Sequence, residues 1–160
     1  IKDLPDEEIG KQLSQNSSGE NGKGIEFSSI FKATDNLVIK VNASFNKLES
    51  IKTGVQIANI PQKLAGVNIN WKLNNELNWN LGLDHVADRE RSPTDARSTI
   101  EDYTSISTNL IWKPLGEKLS ISLSAINLGN DYISEPGPPF LERDVPMLDR
   151  QIKLQLAYKM

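Results

Sequence analysis

The densest group of charged side chains lies in one short polar stretch, ADRERSPTDARSTIE, at residues 87–101. Three arginines, Arg89, Arg91 and Arg97, are interspersed there with carboxylates such as Asp95. Guanidinium groups bind anionic ligands through charge-assisted, often bidentate hydrogen bonds. The same residue types also form solvated ion pairs on exposed loops, which contribute little to stability. The stretch therefore predicts either an anion-binding loop or an ordinary charged surface.

The other candidates for chemistry are isolated. Glu142, Asp144 and Asp149 could bind calcium through carboxylate oxygens, but no regular ligand spacing supports such a site. His85 is the only histidine, which excludes a histidine metal cluster. No nucleophile with a base, and no carboxylate pair of identifiable geometry, can be named. We therefore expect no enzyme, no metal site and no cofactor.

The composition indicates a folded chain. Of its 160 residues, 38% are apolar and 24% are charged, which is typical of a folded domain. The net charge of −3 is too mild to indicate a nucleic acid partner. The chain has no cysteine, which excludes disulfides and thiolate metal sites. No apolar run approaches the roughly 20 residues of a transmembrane helix, a criterion that does not detect barrel strands of about 9–11 alternating residues.

A period of two dominates most of the sequence. Serines at 120, 122 and 124 alternate with the apolar residues Leu119, Ile121, Leu123 and Ala125, as a half-buried strand requires. The same alternation recurs at 37–46, at 77–84 and at 152–160. Further strands are predicted at about 25–32, 64–71 and 103–113. The sequence thus predicts about seven strands.

The connections between these strands alternate in length. Three are short, at 34–36, 73–76 and 114–117, and three are long, at 46–61, 87–101 and 129–149. In an antiparallel up-and-down meander, alternate connections lie at opposite ends of the sheet. Transmembrane barrels of the bacterial outer membrane combine this asymmetry with an outward apolar face and a polar interior. We therefore predict an all-β fold, an antiparallel up-and-down meander that is part of a larger transmembrane β-barrel.

Three tryptophans, Trp71, Trp79 and Trp112, lie beside the short turns on the apolar faces of their strands. An interfacial girdle of aromatic residues occupies this position in membrane barrels. We therefore interpret the three tryptophans as interfacial aromatic residues.

The N-terminal stretch differs from the rest. Residues 1–24 are polar and include SQNSSGENGKG, a composition typical of a mobile loop. Within it, Pro5–Leu13 could form about two helical turns. We divide the chain into a polar loop at 1–24 and an antiparallel β-barrel segment at 25–160. The chain opens with IKDLPDEE rather than a basic and apolar signal segment, as expected of a processed chain or an internal fragment.

Five short motifs are spaced along the chain: Gly24-Ile25-Glu26, Asn59-Ile60-Pro61, Asp102-Tyr103-Thr104, Asn127-Leu128 followed by Asp131-Tyr132, and Asp149-Arg150. Their order and spacing resemble the C-terminal part of the barrel of TonB-dependent outer-membrane receptors, over about Gly24 to Met160. The resemblance implies barrel motif positions at Asn127, Leu128, Tyr132 and Arg150, with a structural role at the barrel rim.

The resemblance also implies a function. Members of the family have a signal peptide, an N-terminal plug and about 22 strands, so this chain corresponds to the last third of a receptor barrel. Such receptors lie in the bacterial outer membrane, in contact with its lipid. They import a scarce nutrient such as a ferric siderophore, cobalamin or glycan, driven by the TonB complex through the plug, which is absent from this chain. Arg89, Arg91, Asp95 and Arg97 would then lie on an outer loop and bind an anionic ligand.

A second hypothesis is a small soluble β-barrel or sandwich that binds an apolar ligand in its interior. Such a fold has the same period of two with the apolar face turned inward, so periodicity alone does not distinguish it from a membrane barrel. A soluble protein does not leave so large an apolar face exposed to water. For the isolated chain we therefore expect a closed or two-layered sheet, or self-association through the free edge strands.

Overall fold

The structure is a computed structural model that describes residues 19–138 and 140–159, and these residues are almost entirely strand and loop. The strands are β1 (Glu20–Thr34), β2 (Leu37–Ser50), β3 (Pro61–Lys72), β4 (Leu77–Arg89), β5 (Tyr103–Trp112), β6 (Leu119–Ile126), β7 (Ser134–Glu135), β8 (Val145–Pro146) and β9 (Gln151–Tyr158). β1 to β6 and then β9 pair in chain order as one antiparallel sheet, and β7 and β8 form a separate hairpin. The predicted meander of seven strands is confirmed. The helix considered at Pro5–Leu13 lies outside the described residues.

The short and long connections lie at opposite ends of the sheet, as predicted. The short connections are residues 35–36, 73–76 and 113–118, and the last contains a single 3-10 turn at Gly116–Lys118. The long connections are residues 51–60, 90–102 and 127–150. In the turn at 73–76, the Asn74 side-chain oxygen accepts hydrogen bonds from the amides of Glu76 and Leu77, each at 2.8 Å. An Asx turn of this kind explains why so short a connection suffices.

The β1–β2 hairpin is longer than the sequence predicts. β1 begins at Glu20 rather than Ile25, and β2 ends at Ser50 rather than Phe45. Residues 20–24 pair with residues 46–50, beyond the last β2–β3 pair, which is Phe45 with Lys63. The apolar alternation stops where the hairpin leaves the sheet, so the pattern underestimated both strands.

The register brings the apolar residues of neighbouring strands onto one face. One row across the sheet contains Phe31, Ile39, Ile69, Leu81, Thr108, Ala125 and Ile152, and the next contains Leu37, Trp71, Trp79, Leu110, Leu123 and Leu154. A row on the opposite face contains Val38, Asn70, Asn80, Asn109, Ser124 and Lys153. On this polar face, Ser122 donates a hydrogen bond to the Asn109 side chain at 2.8 Å. The sheet therefore has one apolar and one polar side.

The sheet is an open single layer in the described part of the chain. β1 and β9 are its two edges and do not pair with each other. Apolar side chains such as Ile25 and Leu154 remain 74% and 64% exposed. The closed or two-layered form expected in water is therefore not adopted by these residues. Self-association of the isolated chain stays a prediction. No described helix is long and apolar enough to cross a membrane.

Candidate functional site

Arg89, the last residue of β4, is buried although it is charged, with only 5% of its surface exposed. Its guanidinium lies over the ring of Tyr103, 5.1 Å from the ring centroid, at the distance of a cation–π contact. Nη2 donates to the Glu101 carbonyl at 2.7 Å, and Nη1 donates to Glu135 Oε2 at 3.2 Å. The Tyr103 hydroxyl donates to Glu135 Oε1 at 3.3 Å. Arg89 and Tyr103 thus fix hairpin β7–β8 against strands β4 and β5.

The residue before Arg89 in β4 has an unusual backbone conformation. Tyr103 belongs to the polar face, because it pairs with Val86, which follows Asp84 at an interval of two. Asp88 has a φ of 57°, in the left-handed region that non-glycine residues rarely adopt, and its amide donates to Asp102 Oδ1 at 2.9 Å. Arg89 directly follows this left-handed residue, and its guanidinium lies over the ring of Tyr103.

Four further charged residues form a second cluster, which we call the ionic clasp: Arg91, Asp95, Arg97 and Asp144. Arg97 Nη2 donates to Asp95 Oδ2 at 2.6 Å, and Arg97 Nη1 donates to Asp144 Oδ1 at 3.2 Å. Arg91 donates to both oxygens of Asp144, at 3.0 Å for the Nη1–Oδ1 pair. The four side chains are between 6% and 16% exposed. The ionic clasp therefore joins the loop at 90–102 to the loop at 127–150.

Backbone groups complete the ionic clasp. Arg97 Nη2 also donates to the Gly137 carbonyl at 2.8 Å, and the Gly137 amide donates to Asp144 Oδ1 at 3.3 Å. Arg91 Nε donates to the Ser98 carbonyl. Both arginines are thus held at several points by groups of the chain itself.

The arginines favour the charged form of both aspartates. Hydrogen bonding from Arg97 lowers the pKa of Asp95 to about 2, against the opposing effect of its partial burial. The pKa of Asp144 is also lowered, chiefly by its hydrogen bonds from Arg91. Two guanidinium groups face two carboxylates, so the ionic clasp is close to electrically neutral.

The structure brings the four predicted ligand-binding residues to the same end of the sheet and engages their side chains within the chain. Arg89, Arg91, Asp95 and Arg97 line the junction between two long loops, and their role in ligand binding stays a prediction. A cleft of about 480 Å³ opens beside the ionic clasp. Its lining includes Arg91, Arg97, Ser98, Tyr132, Glu142 and Arg143.

Sequence reasoning identifies Asp95 beside the arginines but misses Asp144 and Glu135, the other carboxylates that pair with them. It weighs Asp144 only as a calcium ligand and gives Glu135 no role. Both lie on the loop at 127–150, more than 40 residues from their arginine partners. Three arginines on one loop indicate that carboxylates lie nearby, but nothing in the sequence identifies which acidic residues form ion pairs with them.

Asn127, a motif position, is buried and makes a local network. Only 2% of its surface is exposed, and its φ of 50° is left-handed. Nδ2 donates to the carbonyls of Asp131 at 2.8 Å and Leu148 at 3.4 Å, and Oδ1 accepts from the Asp131 amide at 3.1 Å. Asn127 therefore fixes the start of the last long loop next to its end.

The other motif positions lie around Asn127. The Leu128 amide donates to the Ile106 carbonyl at 2.9 Å, and the Arg150 amide donates to the Asn130 side chain at 3.1 Å. Tyr132 is exposed and lines the cleft. These contacts are structural, and the motif assignment itself stays a prediction.

The three tryptophans lie on the apolar face at the short-turn end. Trp71 and Trp79 pair directly across β3 and β4, and Trp112 pairs with Leu77. The interfacial role of these tryptophans stays a prediction. His85 contacts the Thr104 hydroxyl at 2.9 Å. Within residues 19–138 and 140–159, no three potential His, Cys, Asp or Glu ligands lie close enough to hold a metal ion.

A single-layer antiparallel meander with one apolar face and long loops at one end has the architecture of a β-barrel wall. Among solved structures, the chain is similar to a mutant of the ferric enterobactin receptor PfeA from Pseudomonas aeruginosa, with a TM-score of 0.65 and 14% sequence identity. The similarity covers 83% of this chain and 21% of that chain, so the chain spans about a fifth of that receptor's length. At this identity the likeness shows the fold. No family model matches the chain, and no curated protein matches it.

Proposed function

We propose that the chain is the C-terminal wall segment of a TonB-dependent outer-membrane receptor. The observation that carries the proposal is the register, which gathers apolar side chains on one face and amides and hydroxyls on the other. A sheet with this division suits hydrocarbon on one side and an aqueous or protein-filled interior on the other. The similarity to a ferric enterobactin receptor supports the same class of protein.

The length of the apolar stretch along a strand supports a position in a membrane. On β2, apolar residues alternate from Leu37 to Phe45, a span of nine residues. At about 3.3 Å per residue this stretch is roughly 26 Å long, and a barrel strand needs about 9–11 residues to cross the hydrocarbon. The apolar stretch is thus long enough for one crossing and no longer.

The odd number of strands in the main sheet supports the proposal that the chain is a segment of a larger barrel. Neighbours are antiparallel throughout, so β1 and β9, the first and seventh strands, run in the same direction. They cannot close the sheet on itself by antiparallel pairing, and bacterial barrels of this kind have an even number of strands. The soluble barrel or sandwich gains no support, because the described residues leave the apolar face uncovered.

In this proposal the complete receptor imports a scarce nutrient such as a ferric siderophore, cobalamin or glycan. The TonB complex would supply energy through a plug encoded elsewhere in the receptor. This segment contributes wall strands and outer loops, and the ionic clasp holds two of those loops together at the mouth. The proposal assigns transport and no catalysis to the segment.

Site-directed labelling of the full-length product in its own outer membrane tests the orientation. The chain has no cysteine, so a thiol introduced into this segment is its only one. We expect a membrane-impermeant maleimide to label T94C, on the loop at 90–102, in intact cells. N75C, in the turn at 73–76, should react only after permeabilisation. Equal labelling of both variants in intact cells, or a product in the soluble fraction, would contradict the proposal.

Uptake measurements test the transport activity. Cells with the full-length gene should accumulate one member of a panel of radiolabelled iron chelates, cobalamin and oligosaccharides, and a deletion strain should not. A protonophore should abolish that accumulation if TonB energises it. Accumulation that is unaffected by the protonophore would favour a passive pore.

A further inference from the structure

We propose that Asn21 is a site of spontaneous deamidation, in which its side chain cyclises onto the backbone nitrogen of Gly22. These two residues form the only Asn-Gly pair in the sequence. They lie on β1 where the β1–β2 hairpin extends beyond the last β2–β3 pair, and we call residues 19–24 and 46–50 the hairpin end. The site does not depend on the proposed function, because the reaction uses groups of this hairpin alone.

The reaction joins two neighbouring groups of the chain and needs only water. The Gly22 nitrogen attacks Cγ of Asn21, its proton passes to the departing amide nitrogen, and ammonia leaves. Water then opens the resulting succinimide ring at either carbonyl, which gives aspartate or isoaspartate without oxidation or reduction. Glycine favours the attack, because it has no Cβ beside the attacking nitrogen.

The pairing of the hairpin end leaves the Gly22 nitrogen free. In an antiparallel ladder, opposed residues alternate between pairs that exchange backbone hydrogen bonds and pairs that do not. The Ile51 amide donates to the Gly19 carbonyl at 3.2 Å, and Gly22 lies three residues further along β1. Gly22 therefore belongs to a pair without backbone hydrogen bonds, opposite Leu48. The Leu48 carbonyl agrees with this alternation, because it accepts from the Ile57 amide at 2.9 Å, on the side away from β1.

The free edge of the sheet completes this environment. β1 is an edge strand of the described sheet, so the Gly22 N–H points outward and has no backbone partner among the described residues. Asn21 and Gly22 are both exposed. Water and the attacking nitrogen therefore both reach the Asn21 side chain without displacing another group.

The backbone at Asn21 must leave the extended conformation before the ring can close, and the hairpin end permits this. Its β2 arm is also held by the loop at 51–60, where the Gly54 amide donates to the Ser50 carbonyl at 2.8 Å and the Ser50 amide donates to the Val55 carbonyl at 2.9 Å. Its β1 arm pairs with β2 alone. Strand ends with few contacts open locally at low cost in free energy, so the β1 arm can separate while β2 keeps its position.

The product destabilises the hairpin end in two ways. Asn21 lies directly opposite Glu49, so deamidation places two carboxylates opposite each other, which destabilises a strand pair. Isoaspartate also adds one methylene to the backbone, which shifts the residues before it out of register with β2. The hydrogen bond from Ile51 to Gly19 is lost with this pairing, and the loop at 51–60 loses its contact with β1.

Peptide mapping of the full-length protein after incubation at pH 8 tests the site. We expect isoaspartate to accumulate with time at residue 21, in the peptide that trypsin releases up to Lys23. In the matched control G22A, this signal should be lost. Alanine fits at this position, because Gly22 has no left-handed φ and an added Cβ meets only the flexible Leu48 side chain, at 3.2 Å.

An internal control separates the effect of glycine from that of exposure. Asn75 is exposed in the turn at 73–76 and is followed by Glu76, so it should gain no isoaspartate over the same period. Equal modification of Asn21 and Asn75 would overturn the proposal, because it would indicate general chemical damage. An unmodified Asn21 would overturn it as well, because it would show that β1 holds the backbone extended.

Limited proteolysis tests the consequence. N21D introduces the charge of the product, so we expect trypsin to cleave after the exposed Lys52 about two- to fivefold faster than in the parent. N21S removes the amide without adding charge and should leave this rate unchanged. Equal rates for N21D and the parent would contradict the predicted loosening of the hairpin end. None of these readouts depends on membrane location or transport, so their failure would leave the proposed function intact.

Discussion

Trp71 and Trp79 lie directly opposite each other on β3 and β4, with ring centroids 6.3 Å apart and ring planes inclined by 39°. Trp79 also donates from Nε1 to the Thr108 hydroxyl at 2.8 Å. Each ring thus contacts apolar neighbours, and one has its polar atom satisfied, at the end of the sheet with the short turns. Amphipathic rings with this environment suit a membrane interface.

The tryptophan pair should stabilise the sheet beyond its contribution to area burial. In a double-mutant cycle of W71L and W79L, we expect a coupling free energy of about 0.5–1.5 kcal/mol. Urea unfolding of the full-length protein in lipid bilayers measures it. Trp112 is separated from Trp71 by β4, so W71L and W112L should be additive. Equal coupling in both cycles would mean that the 6.3 Å contact is not specific.

The ionic clasp should determine the mobility of the last long loop. D144N removes the carboxylate shared by Arg91 and Arg97, so we expect trypsin to cleave the loop at 127–150 roughly tenfold faster than in the parent. E142Q, two residues away, alters an exposed acid and serves as the control. Unchanged cleavage of the D144N protein would show that the loop is held by other contacts.

The ionic clasp should also resist acid. Because the folded-state pKa of Asp95 is lowered to about 2, its stabilising contribution is fully present above the ordinary carboxyl pKa of about 3.9 and is lost as the pH falls through the folded value. The lowered pKa of Asp144 acts in the same direction. Two spin labels, at S92C and L141C, should give one narrow distance distribution at pH 7 and pH 4.

As the pH falls toward 2, the same distribution should broaden, because Asp95 takes up a proton at its lowered pKa of about 2. The D144N protein provides the control, since its distribution should be broad at pH 7 already. Broadening of the parent's distribution near pH 6 would contradict the assignment, because neither aspartate titrates there.

Any substitution of Asn127 should lower the free energy of unfolding. N127A removes three hydrogen bonds and leaves alanine, which tolerates the left-handed region less well than asparagine, at a φ of 50°. We therefore expect a loss of about 1–3 kcal/mol in the free energy of unfolding. N127G removes the same bonds but adopts this φ without strain, and should recover roughly 1 kcal/mol of that loss. Urea unfolding compares the two. Equal losses would exclude backbone strain as a component.

The strands were predictable because apolar and polar residues alternate at consecutive positions within each strand. In β6 the serines and the aliphatic residues separate by position alone, and the register in the structure places them on opposite faces. The bounds were less predictable at the long-loop end. There β1 and β2 continue through residues such as Lys23 and Lys47, which pair by backbone hydrogen bonds that require no apolar pattern.

The sequence predicted the residues of the candidate site that are close together in the chain, but not their partners on the distant loop. Arg89, Arg91, Asp95 and Arg97 are close in sequence, so their clustering was evident. Their partners on the loop at 127–150 meet them through the fold. Hairpin β7–β8 was hidden as well, because its strands are two residues long and one contains Pro146. Proline is normally a signal against strand.

The central claim is that the apolar face of the sheet contacts lipid. Nitroxide labels at positions 120–124 of β6, one per variant of the full-length receptor in lipid bilayers, measure it through collisions with oxygen, which concentrates in hydrocarbon, and with a polar nickel complex, which stays in water. We predict that the I121C and L123C labels collide mainly with oxygen and that the S120C, S122C and S124C labels are protected from it. The same accessibility at all five positions would contradict the account.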